Sequence, residues 1–263
     1  MKYEMLEFDI QDHVAWITLN RPKAYNAINL KAVQELCDVA NRCGSDKSVR
    51  AAVLTGAGDK AFCAGGDVAD FAANSARIEL LVKEMTGALH TAISRFAWMR
   101  APLIGAYNGV VAGGGLGLAL ACDLGIAAEH ARFTSAYTHI GFTPDGSSTY
   151  FPSRLPGRRR AMEMFLTNRT LSAQEALDWG IVNRVVPGDE LMAAAKTLAL
   201  ELARGPTRAH GGIKKLLNIA PTDSLESHME RETRAIADAA SSRDGLEGPR
   251  AFVEKRKPQF IGE

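Results

Sequence analysis

NGVVAGGGLGLALACD, residues 108 to 123, places three consecutive glycines ahead of an apolar run that closes on an aspartate. A backbone stripped of side chains just before an apolar helix has several uses. A dinucleotide-binding G-x-G-x-x-G turn is excluded, because Gly113 and Gly115 would need a glycine at 118 and the residue there is Leu118. A phosphate-binding P-loop is excluded too, since no Lys-Ser or Lys-Thr pair directly follows. Two readings stay open: bare N–H groups that stabilise negative charge on a close-fitting oxygen, or a helix-to-strand contact that tolerates no Cβ.

KAFCAGGDVADF, residues 60 to 71, repeats the habit, with small residues and paired glycines after the strand-like VLTGAG. Two such loops can each give one backbone N–H to a single oxyanion. On an acyl carbonyl, that pair of donors holds the enolate formed when the adjacent carbon loses a proton, and losing one donor costs about 100- to 1000-fold in rate.

The chain of 263 residues carries a formal net charge of +1, with 46% hydrophobic and 23% charged residues, which fits a folded globular protein and gives no field that would draw nucleic acid or an anionic membrane. Cys37, Cys43, Cys63 and Cys122 form no CxxC pair and no His/Cys ligand spacing. A structural metal and a disulfide framework are therefore not expected, and a reducing cytoplasm is. The start, MKYEMLEFDI, lacks the apolar core of a signal peptide, and no stretch approaches the length of a membrane span.

Five runs bounded by turn residues read as strands: HVAWITLN (13–20), VRAAVLTGAG (49–58), PLIGAYNG (102–109), DLGIAAE (123–129) and GIVNRVV (180–186). Between them, Asn29 is placed to cap a helix over 30–43, and an apolar stripe from Ile78 to Phe96 predicts a second. Ser172 and Glu175 form a capping box, and a helix over 189–204 should stop at Gly205-Pro206. Alternation of strand and helix predicts an α/β domain to about residue 200. Beyond 205 only helical patterns remain, with no linker, so this part should pack on the main domain or on another subunit.

Taken in order, NRPKAYNAI (20–28), AFCAGGDV (61–68), NGVVAGGGLGLALACD, LTNRTLSAQEALDWGIVNRVV (166–186) and AFVEKRKPQF (251–260) resemble segments of the crotonase family, the enoyl-CoA hydratase/isomerase superfamily, over nearly the whole chain. The resemblance implies a crotonase-like spiral of repeated β-β-α units, with an acyl-CoA-binding core over 1–200. It also implies a helical region over 201–263 for oligomerisation and pocket closure, and a homotrimer or dimer of trimers. Coenzyme A would be part of the substrate, with no separate cofactor. The oxyanion donors would be the N–H groups of Gly66 and Gly114. The CoA contacts would be Lys23 and Ala24, then Ala64, Asp67 and Val68 around the adenine, and Phe252 and Lys255 near the C-terminus.

Members of this family that hydrate enoyl-CoA carry two glutamates, and here those positions hold Gly117 and Tyr137. Neither is a carboxylate base. The candidate acid is Asp145 in HIGFTPDGSSTYF (139–151), a position where isomerases of the family carry their acid/base. One carboxylate can take a proton from one carbon and return it two carbons away. The resemblance therefore implies an isomerase that shifts a double bond or rearranges a ring epoxide. A dehalogenase of the 4-chlorobenzoyl-CoA type is the main rival, with Asp145 as nucleophile and His90 activating water. It matches only in part, since its tryptophan falls on Tyr137 and its bulky oxyanion residue on Gly66. A hydratase with an atypical acid/base and a non-catalytic acyl-CoA-binding trimer are further alternatives. Read as ordinary residues, Asp145 is a turn aspartate, His90 a packing histidine, Tyr137 core filler and Cys63 a buried filler. Met85, Met162 and Met164 read as core.

Overall fold

The computed structural model describes residues 2–151 and 153–263. The chain opens with β1 (Leu6–Gln11) and β2 (Val14–Leu19), an antiparallel pair turned by Asp12 and His13, both in the left-handed region. Then come α1 (Leu30–Ser45), β3 (Ala51–Gly56), β4 (Ala61–Cys63), α2 (Val68–Ala73) and α3 (Ile78–Trp98). A second β-β-α unit follows as β5 (Leu103–Tyr107), β6 (Val110–Ala112) and α4 (Gly114–Leu120). A third is β7 (Leu124–Ala128), β8 (Arg132–Thr134) and α5 (Arg158–Thr167). β9 (Leu171–Ser172), α6 (Ala173–Asp178) and β10 (Arg184–Val186) close the sheets, and α7 (Leu191–Ala203), α8 (Thr207–Ile219), α9 (Leu225–Ala240) and α10 (Arg243–Val253) complete the chain.

In each unit the first strand joins one sheet and the second strand joins another. The larger sheet has the order β1-β2-β3-β5-β7-β10, and the smaller has β4-β6-β8-β9. Between successive units every pairing is parallel, β3 to β5 to β7 and β4 to β6 to β8. The chain therefore winds as the β-β-α spiral that the sequence resemblance implies. All the strands expected from sequence fall in the larger sheet, and the whole smaller sheet goes unread. Its strands are two or three residues long and, as in fully buried Ala61–Cys63, show no alternation of apolar and polar faces. β1 also goes unread, although Leu6, Phe8 and Ile10 alternate there with Glu7, Asp9 and Gln11. The strand expected over 180–186 shortens to Arg184–Val186.

Alternation along the larger sheet divides the core. Ala51 and Val53, Ile104 and Ala106, and Ile126 and Ala128 meet Leu191, Ala195 and Ala199 of α7, while Leu54, Leu103, Tyr107 and Ala127 face the other way into the main core. Asn29 caps α1 by accepting from Ala32 N–H at 3.0 Å. Ser172 and Glu175 form the expected capping box on α6. Met85 and Met164 are buried, but Met162 is 42% exposed, so the core reading fails for it: Met162 lies on the solvent side of α5. Among the described residues no helix is long and apolar enough to cross a membrane.

The C-terminal helices are pinned to the core by buried charges. Lys214 of α8 donates to the carbonyls of Phe96 and Ala101 at 3.0 and 3.1 Å and pairs with Asp123 at 2.6 Å. Arg50 donates to Gly205 O and Phe260 O, and Asp244 accepts the N–H groups of Ile261 and Gly262. Replacing Asp123 by alanine leaves the buried Lys214 ammonium without its counter-charge. We expect a loss of about 3 kcal/mol in stability, read as a lowered urea midpoint.

Candidate active site

β4, β6 and β8 lie side by side and run parallel, so the loops that leave their C-terminal ends emerge together. These loops carry Gly66, Gly114 and Tyr137. Their backbones touch: a Cβ on Gly65 would stand 2.9 Å from Ala112 O and 3.1 Å from Gly114 N, and Gly113 N–H donates to Ser135 O at 3.1 Å. Gly65 and Gly113 also hold φ values of 94° and 52°, which favour glycine.

Both proposed N–H donors stand outside the regular ladders. A parallel bridge pairs Ile28 with Gly66, using Gly65 C=O and Asp67 N–H, so the N–H of Gly66 itself faces the opposite way. Gly114 is the first residue of α4, ahead of the i to i−4 bonds. Both glycines border one cavity of about 720 Å³, with Tyr137 and Asp145 on its wall. Apolar side chains supply most of the rest, among them Ile28, Val82, Met85 and Leu89. Phe71 and Phe142 pack together at 5.7 Å between centroids. Phe71 also fills the space beside Gly66, where a Cβ would lie 2.6 Å from its Cζ. Nothing in the sequence signals that Phe71, five residues beyond Gly66, folds back over it.

The remaining glycines answer the second reading of the opening stretch. A Cβ on Gly115 would collide with Cys63 O and lie 2.7 Å from Cys63 Cβ, so this glycine is there for helix-to-strand packing. Gly114 is different: its Cβ would meet Ile28 Cδ1 at 3.4 Å, an ordinary contact. At Gly117 a Cβ would collide with Gly146 O and come within 2.8 Å of Ser148 Oγ. The turn after Asp145 thus occupies the space that a side chain at 117 would need. A glycine at 117 and a carboxylate at 145 are two consequences of one placement of this loop.

Asp145 is held from below. Tyr137 Oη donates to Asp145 Oδ1 at 2.7 Å, and Ser148 N–H donates to Asp145 O at 3.0 Å. Burial, then the neighbouring Asp145 charge, pushes the Tyr137 phenol well above its ordinary range, so it remains a donor at alkaline pH. His90 Nε2 lies 3.6 Å from Asp145 Oδ2, yet the same nitrogen accepts the N–H of Gly146 at 3.1 Å. In that arrangement the Nε2 lone pair is engaged by Gly146, so Nε2 does not donate to Asp145.

The other sequence candidates scatter. Ala64 and Val68 border the cavity, and the turn holding Lys23 and Ala24 reaches its edge through the bond from Ala64 N–H to Tyr25 O at 3.0 Å. Asp67 is engaged elsewhere, capping α2 and pairing with Arg21 at 2.8 Å. Burial raises its pKa, but Arg21 and the N–H groups of α2 outweigh that and hold it below the usual range. Phe252, 84% exposed, and Lys255 lie at the end of α10 and do not border the cavity of their own chain. Cys63 is fully buried and its thiol is pushed up to about 12 by burial, which leaves it no thiolate character. No group of three or more His, Cys, Asp or Glu residues placed to hold a metal ion occurs among the described residues.

The model of the family described as enoyl-CoA hydratase/isomerase matches residues 9–263. A protein of Rhodobacter capsulatus named "Probable enoyl-CoA hydratase" is 37% identical, covering 100% of both chains. The 1,2-epoxyphenylacetyl-CoA isomerase of Escherichia coli is 36% identical over 98% of this chain and 100% of its own. The 4-chlorobenzoyl coenzyme A dehalogenase-2 of an Arthrobacter species is 38% identical over 86% and 82%. Among solved structures, an enoyl-CoA hydratase from Bacillus anthracis superposes with a TM-score of 0.93 at 34% identity, covering 99% of this chain and 100% of that one.

The contrast between two glycines is testable. Gly117→Ala forces the Asp145 turn off α4 and should cost about 1–3 kcal/mol, whereas Gly114→Ala meets only ordinary contacts and should melt within a degree or two of the parent. Thermal denaturation of both variants checks this, and equal midpoints would show that the turn does not rest on position 117.

Proposed function

The chain belongs to the enoyl-CoA hydratase/isomerase family, and from that premise we propose that it is an acyl-CoA isomerase in which Asp145 moves the proton. The observation that carries this reading is Asp145, held by Tyr137 on the wall of the cavity that Gly66 and Gly114 border, with no carboxylate at 117 or 137; the other carboxylate on that wall, Glu79, is exposed and paired with Lys83 at 2.6 Å. In the proposed reaction the thioester oxygen accepts the N–H groups of Gly66 and Gly114. Asp145 takes a proton from the carbon next to the carbonyl, and the C–H electron pair passes into the enolate. The proton then returns two carbons away as the double bond shifts. Atoms and charges balance with no cofactor. Tyr137 holds Oδ1 at 2.7 Å, which leaves Oδ2 to carry the proton. A ring epoxide next to the same enolate can rearrange by the same start.

The rival displacement reaction asks His90 to activate water. The bond from Gly146 N–H occupies the lone pair it would use, and Phe71 fills the space next to Gly66. Both features favour the isomerase. Hydration would need a second acid/base, and Gly117 and Tyr137 supply none. The proposal includes a homotrimer or dimer of trimers, because Leu217, Leu225, Ile236 and Leu246 of the C-terminal helices stand more than 60% exposed on one chain. Sedimentation should then give about three or six times 28.3 kDa.

The deciding experiment screens 3-enoyl, 2-enoyl, ring-epoxide and halobenzoyl thioesters of CoA with the parent protein and with Asp145→Asn. Double-bond migration should dominate in the parent and fall by at least about 100-fold in the variant, with binding of the thioester retained. Halide release, or labelled oxygen from water entering Asp145 in one turnover, would replace the isomerase by the displacement reaction.

A further inference from the structure

A second cavity, of about 260 Å³, lies end to end with the first along α3. Val82, Met85 and Leu89 line the first cavity, and one turn further on Ile93, Ala97 and Trp98 line the second. The turn at Gly146 lies at their boundary. Gly146 rests on α3, where a Cβ would stand 3.3 Å from Leu89 Cδ2 and 3.6 Å from Ile93 Cδ1, and its N–H donates to His90 Nε2 at 3.1 Å. Asp145, on one side of that glycine, borders the first cavity, and Ser147, on the other side, borders the second.

We propose that the second cavity is a subsite for the distal end of an apolar acyl group, and that the bond from Gly146 to His90 is the bar that sets the length of acyl chain admitted. This rests on the acyl-CoA reading above. The walls suit such an occupant, since Ile93, Ala97, Trp98 and Phe151 supply apolar surface beside the polar Ser94, Tyr150 and Asn218, and Trp98 is left 45% exposed. The bar itself is under tension. Ser147 holds a left-handed φ of 64°, and its buried hydroxyl has no hydrogen-bond partner among the described residues. Both are costs that a shift of the turn can relieve. An acyl group too long for the first cavity therefore meets one histidine and one strained turn, not a wall of packed helix. His90 acts here as a specificity-determining residue, through the position of the turn and not as a base.

The test measures Kd for saturated, unreactive acyl-CoA thioesters from acetyl to dodecanoyl, with the full chain and three variants. In the parent protein, affinity should rise with chain length and then level off where the chain meets the bar. His90→Ala should remove the plateau, so that each further methylene tightens binding by about two- to fourfold. His90→Gln, whose side-chain oxygen can accept the Gly146 N–H, should keep the plateau. Adding Ala97→Trp to His90→Ala fills the second cavity and should restore it. A uniform loss at every length in His90→Ala, or a double variant that binds long chains as tightly as the single, would overturn the subsite. If the parent binds no member of the series, the acyl-CoA reading itself fails and the subsite with it, an outcome distinct from intact binding with an unmoved plateau.

Discussion

The parallel pairing of β4, β6 and β8 is the constraint on which the rest depends. Each strand is three residues long, too short to specify much alone, yet each directly follows a longer strand of the larger sheet and is placed by it. Three parallel strands end on one edge, and three loops must leave there side by side. The close approach of Gly65 to Gly114 N and the contact of Gly115 with Cys63 lock two of those loops together, backbone against backbone. A side chain at Gly65 or Gly115 would push them apart and with them the two free N–H groups. Donors fixed before substrate arrives need no reorganisation when charge develops, which is where such a site gains its advantage over water.

The third loop carries the carboxylate on which the proposed chemistry rests. It descends onto α4 at Gly117 and delivers Asp145 from a turn, in place of a carboxylate from the helix. In this chain the two arrangements exclude each other sterically, since a Cβ at Gly117 would collide with Gly146 O. Proteins 36% to 38% identical to this chain are named hydratase, isomerase and dehalogenase. Tyr137 completes the exchange. It is buried, remains protonated, and orients the carboxylate by one hydrogen bond.

Much of this was legible in the sequence, and what was missed has physical causes. Caps and stops announce themselves locally, so Asn29, the Ser172-Glu175 box and Gly205-Pro206 are found where expected. The larger sheet shows as apolar runs, while the smaller one hides because two or three buried residues carry no period. The glycine-rich stretch posed a choice between oxyanion donors and tight packing, and the structure divides it. Gly115 and Gly117 are there for packing, Gly113 for its backbone conformation, and Gly114 lies free at the cavity. His90 beneath Gly146 depends on a contact between distant segments, which no local pattern encodes, and Phe71, only five residues beyond Gly66, folds back over it from a stretch with no apolar period. Phe252 and Lys255, placed near CoA by resemblance alone, stay away from the cavity of their own chain.

In the proposed reaction one carboxylate, Asp145, both removes and returns the proton while the enolate is held. Turnover of a 3-enoyl-CoA in deuterium oxide, with the product's label located and its facial position assigned by NMR, addresses that directly. A single base predicts delivery to the same face from which the proton was taken, with part of the original hydrogen carried across. Delivery to the opposite face with complete solvent label would require a second acid and would rule out Asp145 as the sole acid/base.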